Sequence, residues 1–299
     1  MNSAEHNFLT PESVSRLSRL ELIARFVVEG FITGLHKSPY HGFSAEFSEH
    51  RQYMEGDSLR YLDWKVFGRT DRMYIKRFEE ETNLAAHIIL DVSGSMGFQD
   101  KGSVTKLRYG SILAASLAYL MLGQRDSVGL VTFAETIVTM IPPRSVQSQF
   151  SEIVSTLSSI EPAGNTVAAD VLHTMAERIK SRGLVILISD LILDSDELLH
   201  GLKHFRHNGH EVLVFHIQDP AELAFDYDRE TRFIDLESGK SLTTQPWHIR
   251  EEYLKELNTK RNKMVRSMHD ISVDYSLFAT DVPFEKAISE YLAKRKRLY

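Results

Sequence analysis

The chain has 299 residues, 42% of them hydrophobic, enough for a large core in one domain or in one domain with a smaller companion. It contains no cysteine, which excludes disulfides and thiolate metal sites. A net charge of −6 and a pI near 6.1 argue against a general nucleic-acid binder.

Residues 1–6 lack a basic start followed by an apolar core, so no signal peptide is expected. No apolar run approaches the roughly 18 residues that span a bilayer. The longest, 112–123, reads as a core helix. The expected location is the cytoplasm. Thr10-Pro11-Glu12 has the pattern of a helix start, and apolar positions from Val14 to Val27 carry one helix to about Leu35. Residues 36–82 mix aromatics with charges and lack helical periodicity. They read as a small β-rich region with turns at His41-Gly42, Glu55-Gly56-Asp57 and Gly68-Arg69.

From residue 83 strands and helices alternate. Strands are predicted at 85–90, 127–133, 135–141, 183–189, 211–218 and 272–279, and helices at 104–124, 146–160, 167–181, 195–208, 247–270 and 283–296. Runs such as Leu184-Val185-Ile186-Leu187-Ile188 are apolar throughout, as strands buried on both faces are. The expectation is an α/β, doubly wound, mostly parallel sheet, with an antiparallel edge from a hairpin turning at Glu135-Thr136. The expected division is 1–82, an N-terminal helix plus β-rich extension, and 83–299, the sheet domain with its C-terminal helix.

The run Ala85-Ala86-His87-Ile88-Ile89-Leu90 ends in Asp91-Val92-Ser93-Gly94-Ser95. In an open α/β sheet this is the edge where ligands bind. Alternation places one carboxylate and two hydroxyls on the same side of an extended loop. Asp190, at the end of the strand through Ser189, and Thr166, in the loop entering a helix near Val167, are the other candidates to converge there. Two carboxylates and three hydroxyls are hard oxygen donors suited to Mg2+ or Mn2+. The competing reading is that Ser and Asp after a strand serve as turn and capping residues.

Asp91-Val92-Ser93-Gly94-Ser95-Met96, with Thr166 and Asp190 downstream, resembles the metal-ion-dependent adhesion site of von Willebrand factor A domains, over residues 83–280. A second resemblance covers most of the chain. His41-Gly42, Arg51-Gln52-Tyr53, Glu55-Gly56-Asp57, Arg60-Tyr61-Leu62-Asp63-Trp64, Tyr74-Ile75-Lys76-Arg77-Phe78-Glu79, Gly209-His210-Glu211-Val212 and Asp219-Pro220-Ala221-Glu222 are similar to the bacterial family called domain of unknown function 58. The first resemblance implies that Ser93, Ser95 and Thr166 ligate the ion directly, that Asp91 and Asp190 act largely through water, and that a partner's acidic side chain fills the open position. The third loop reads Ser189-Asp190-Leu191 where many A domains have Asp-Gly. The second implies a non-enzymatic adaptor linking a MoxR-type AAA+ ATPase to client proteins in assembly, metal insertion or stress response. Membrane contact would come only through partners.

Other clusters have plainer readings beside the functional ones. Arg60, Trp64, Arg69 and Arg72 could anchor a partner or hold the extension in place. This gives an alternative function, a scaffold with a vestigial metal site that binds through this region. His200, His204 and His207 share one side of a predicted helix, followed by His210, and read as a solvated histidine face rather than a zinc site. Ser93-Gly94-Ser95 lacks the first glycine of a nucleophile elbow, and His248 and His269 fall in a predicted helix, so a metal-dependent hydrolase is disfavoured. No phosphate-binding glycine loop is present. Lys294-Arg295-Lys296-Arg297 reads as a basic helix end that complements the helix dipole.

Overall fold

The computed structural model describes residues 10–12, 19–37, 50–52, 67–69, 73–76, 84–165, 168–180, 182–192 and 194–298. The chain divides into two compact units, Thr33–Asn83 and the combination of Met1–Ile32 with Leu84–Tyr299.

Pro11 and Glu12 are helical, as the Thr10-Pro11-Glu12 pattern predicts, but Arg19 is not, so α1 (Leu20–Lys37) is a separate helix rather than the continuation of one. From Leu20 the apolar register is regular. Leu20, Ile23, Ala24, Val27, Val28 and Phe31 recur at three- and four-residue intervals and are buried. Glu21 stands in the first turn, where the helix dipole favours an acid. In the smaller unit, β1 (His50–Gln52) pairs antiparallel with β2 (Tyr74–Lys76), His50 opposite Lys76. Residues 67–69 are helical rather than the turn expected at Gly68-Arg69. The expected turns at 41–42 and 55–57 lie outside the described residues.

In the larger unit β3 (Ala85–Asp91) leads through a 3-10 turn (Gly94–Gly97) to α2 (Lys106–Gly123), then to β4 (Ser127–Phe133) and β5 (Ile137–Arg144). α3 (Gln147–Ser159) and α4 (Ala168–Arg178) precede β6 (Leu184–Ser189), and α5 (Ser195–His207) precedes β7 (Glu211–Gln218). There follow a short α6 (Pro220–Ala224), a hairpin of β8 (Thr231–Ile234) and β9 (Ser241–Thr244), α7 (Pro246–Asp270), β10 (Asp274–Ala279) and α8 (Phe284–Leu298). The sheet order is β10-β7-β6-β3-β4-β5, with only β5 antiparallel. This is the doubly wound, mostly parallel sheet expected, with its hairpin edge in place.

Strand β3 shows how the layers form. Ile89 faces a core of Leu172, Met175, Leu202, Phe205 and Met268 from α4, α5 and α7. Leu90 lies on the α2 side, where a Cβ on Gly110 would meet Leu90 Cδ1 at 3.0 Å and Ile188 Cγ2 at 3.2 Å. Successive strand residues point to opposite faces, so a run buried on both sides must be apolar throughout. On the α2 side, Tyr109 stacks on Phe284 of α8, and Tyr119 meets Phe150 of α3.

Two elements lie outside the sequence expectation. In the β8–β9 hairpin, β8 alternates half-buried and exposed residues over only four positions and β9 is exposed at all but its last residue, and α6 is only five residues long. At the other end of the chain, Lys294 pairs with Glu211 (2.9 Å) and Asp274 (2.6 Å), and Arg295 pairs with the buried Asp126. These two residues of the basic helix end hold α8 against the sheet. No described helix is long and apolar enough to cross a membrane.

Candidate metal-ion site at the carboxyl edge of the sheet

The chain reverses its winding direction at β3. It runs outward to β4 and β5, then returns to β6 on the opposite side. In such sheets the loops on either side of the reversal part and leave a crevice. Asp91 ends β3 and Asp190 follows β6, so topology alone brings the two predicted carboxylates to this point.

Asp91 is fully buried and held at both oxygens. The Ser93 N–H donates to Oδ1 (2.9 Å), and the Ser189 hydroxyl donates to Oδ2 (2.7 Å). Ser189 Oγ in turn accepts from the Leu191 N–H (2.9 Å). Burial and the neighbouring Asp190 push the Asp91 carboxyl up to about 6, against those hydrogen bonds. An acid raised this way gains from any cation brought beside it. Ser93 Oγ and Ser95 Oγ lie 3.1 Å apart, both buried. Adjacent ligands of an octahedral Mg2+ with bonds near 2.1 Å are about 3 Å apart. The two hydroxyls therefore suit adjacent positions on such an ion.

The loop through 163–165, which leads to Thr166, is tied in by its backbone. The Gly94 N–H donates to Gly164 O (2.9 Å), and the Ala163 N–H donates to Val92 O (3.0 Å). Asn165 donates from its backbone and side chain to Glu135 Oε1 at 3.2 and 2.9 Å. Thr166 itself lies outside the described residues, as do Arg60, Trp64 and Arg72. Arg69 is described and exposed. The β8–β9 hairpin reaches the same place: a Cβ on Gly94 would stand 3.1 Å from Leu236 O and 3.2 Å from Gly164 O. Leu191, where many A domains have glycine, has φ 53°, in the left-handed region that glycine tolerates best. Its side chain is buried in the core beside α4 and α5. The loop keeps a glycine-like backbone while adding an apolar anchor.

One residue of this site escaped sequence reasoning. Lys106, the first residue of α2, is completely buried. Its ammonium lies 2.7 Å from Asp190 Oδ2 and 2.8 Å from Glu222 Oε1. A cation at a helix N-terminus opposes the dipole, and a buried one needs partners. Burial alone would lower the lysine, but Asp190 and Glu222 outweigh it and hold the ammonium above its usual value. Burial holds Glu222 above its usual range, with Lys106 opposing. Two contacts under 3 Å support a charged triad. Glu222 continues the network by accepting from the Asp219 N–H (2.7 Å) as part of the capping box of α6. Asp219 accepts backbone N–H groups from Asp100, Lys101, Gly102 and Ala221 at 2.8–3.1 Å. The motif Asp219-Pro220-Ala221-Glu222 thus anchors the 100–102 loop and supplies one of Lys106's two carboxylates.

Of the four histidines read as one solvated face, His200 and His207 are exposed and His204 is partly so, but His210 is buried and contacts Ile179 O through Nε2 (3.2 Å). Gly209, at φ 81°, turns the chain inward there. His248 and His269 lie exposed on α7.

The architecture has known counterparts. BatB, a conserved hypothetical protein from Bacteroides thetaiotaomicron, matches over 72% of this chain and 99% of its own with a TM-score of 0.50 and 19% identity. The VWA domain of SpRpn10 matches over 70% of this chain and 95% of that domain with a TM-score of 0.41 and 11% identity. An uncharacterised protein of Mycobacterium tuberculosis (strain ATCC 25618 / H37Rv) is 23% identical over 292 residues, 96% of this chain and 91% of that protein. In fold, a doubly wound and mostly parallel α/β sheet, the chain is like BatB. The family described as Protein of unknown function DUF58 matches residues 49–263, and the chain belongs to that family.

Proposed function

We propose that this protein is a non-enzymatic, protein-binding adaptor whose Asp91, Ser93, Ser95, Thr166 and Asp190 hold Mg2+ or Mn2+ and whose partner offers an acidic side chain to that ion. The carrying observation is the pair of buried hydroxyls on Ser93 and Ser95, 3.1 Å apart, beside a carboxylate oriented by Ser93 and Ser189. Hydroxyl ligands leave most of the ion's charge uncompensated, which is what recognition of an acidic group requires. Two exposed apolar residues belong to segments at the site: Ile192, two residues past Asp190, and Leu236, whose backbone carbonyl lies beside Gly94. They offer apolar contact to the same partner. Family resemblance supplies the partner, a MoxR-type AAA+ ATPase working with client proteins in assembly, metal insertion or stress response. The cytoplasm is the compartment proposed.

The test is the thermal midpoint with Mg2+, with Mn2+ and with chelator, for the wild type and Asp91→Ala. An ion that binds only the folded state adds about 2.7 kcal/mol at a hundredfold excess over its dissociation constant. A metal-dependent rise in the wild type, absent in Asp91→Ala, supports the reading. The same midpoints in both, with ATPase binding unaffected by chelator, would end it.

A second reading has one observation in its favour. Lys106 already places a positive charge on Asp190, so the site carries a built-in cation. The protein would then be a scaffold with a vestigial metal site that binds through Arg60, Trp64, Arg69 and Arg72. In that case Arg69→Glu would weaken ATPase binding more than Asp91→Ala.

A further inference from the structure

Helices α4 and α5 pack side by side through Leu172, Met175 and Ala176 on one and Leu198, Leu202 and Phe205 on the other. Three imidazoles meet on the solvent side of that seam. His173 of α4 and His204 of α5 approach with their Nδ1 atoms 3.0 Å apart and ring centroids 4.5 Å apart. Two bare nitrogen lone pairs at this separation repel, so a proton or a cation must lie between them. The Nε2 of His173 faces Glu177 Oε1 at 3.4 Å, one turn along α4. In the tautomer that carries its proton on Nε2, on the Glu177 side, Nδ1 presents a lone pair to His204. A carboxylate behind the far nitrogen is the arrangement that orients metal-ligating histidines. His200, one turn before His204, lays its ring parallel to His173, at 4° and 6.4 Å between centroids. Histidines four residues apart on one helix face have the spacing of a helical metal chelate.

We propose that His173, His204 and His200 bind a divalent transition ion of the zinc class. Neutral imidazoles suit zinc, whereas the oxygen set around Asp91 suits magnesium, so the two sites differ in ligand chemistry. Nitrogens 2.0–2.1 Å from a tetrahedral zinc are about 3.4 Å apart, so the His173–His204 pair needs only a small opening to admit the ion. Among the described residues no three such side chains already converge as a finished cage. The exposed His200 therefore completes the site by rotation, and water takes the remaining position. His173 is itself half exposed, which leaves the ion an open path from solvent.

The experiment is isothermal titration of the full, chelator-stripped chain with Zn2+ at neutral pH, for the wild type and His204→Ala, His173→Ala, His200→Ala, Glu177→Gln, His207→Ala and Asp91→Ala. All the histidine and Glu177 substitutions are at or near the surface, and equal zinc-free thermal midpoints verify that each variant folds. One zinc per chain is expected, with affinity falling at least about tenfold in each of the three cluster variants and about tenfold in Glu177→Gln. His207→Ala and Asp91→Ala should retain wild-type affinity, which separates this site from the magnesium reading. Wild-type affinity in His173→Ala would place zinc on α5 alone and overturn the proposal, as would no zinc uptake by the wild-type chain.

Discussion

Lys106 Nζ stands 2.7 Å from Asp190 Oδ2, both side chains almost without solvent contact. The first residue of a helix thereby supplies the countercharge for a carboxylate at the end of a strand, and through Glu222 it joins three loops at one sheet edge. Breaking a buried pair from one side leaves an uncompensated charge. Lys106→Met should therefore cost about 3–5 kcal/mol in urea unfolding. Adding Asp190→Asn and Glu222→Gln to it should restore most of that loss. A cost below about 1 kcal/mol for the single variant would show that the triad is not charged.

Asp219 should matter to stability nearly as much. Its carboxylate accepts four backbone N–H groups, three of them from the 100–102 loop. Asp219→Ala leaves those donors without their acceptor and removes the cap of α6, for an expected loss of about 2–4 kcal/mol. Asp219→Asn, which keeps one oxygen, should lose clearly less. Limited proteolysis between residues 98 and 105 should quicken in the alanine variant alone.

Gly94→Ala tests how tightly the site's roof is closed. The added Cβ would press on the backbone oxygens of Leu236 and Gly164 at 3.1 and 3.2 Å, neither of which can rotate away. Crowding of this sort costs about 1–3 kcal/mol. The variant should also lose part of any Mg2+-induced rise in midpoint. An unchanged midpoint and an unchanged Mg2+ response would mean that the β8–β9 hairpin yields freely.

The buried histidines set the acid limb. Burial, with His210 nearby, lowers His87 to about 4, and burial lowers His216 to about 4. The unfolded chain binds these protons from about pH 6.5 downward while the folded chain refuses them until near pH 4. Their contribution is thus fully present above pH 6.5 and is lost as pH falls toward 4, at about 1.4 kcal/mol per unit for each residue. Asp91, raised to about 6, has the opposite sign and offsets part of the loss. His87→Leu should reduce the stability difference between pH 7 and pH 5, measured by urea unfolding, by about 2 kcal/mol. An unchanged difference would mean that His87 takes up its proton in the folded state.

Much of this protein was decided by local sequence. Apolar runs such as 184–188, too short for helices and apolar at every position, specify strands buried on both faces, and their alternation with amphipathic helices specifies a parallel sheet. The polar loops after β3 and β6 then had to meet at one edge, which is why Asp91, Ser93, Ser95 and Asp190 could be named from sequence. Tertiary structure alone decided the rest. Lys106 looks like any helical lysine until α2 is laid on the sheet and its ammonium falls between Asp190 and Glu222, 84 and 116 residues away. His173 joins His204 only because two helices pack, across 31 residues of sequence. The β8–β9 hairpin has four-residue strands, too short for a period to show, yet its turn meets Gly94. Periodicity records which side of an element is buried; it carries no information about which distant charge lies opposite, and that choice belongs to packing.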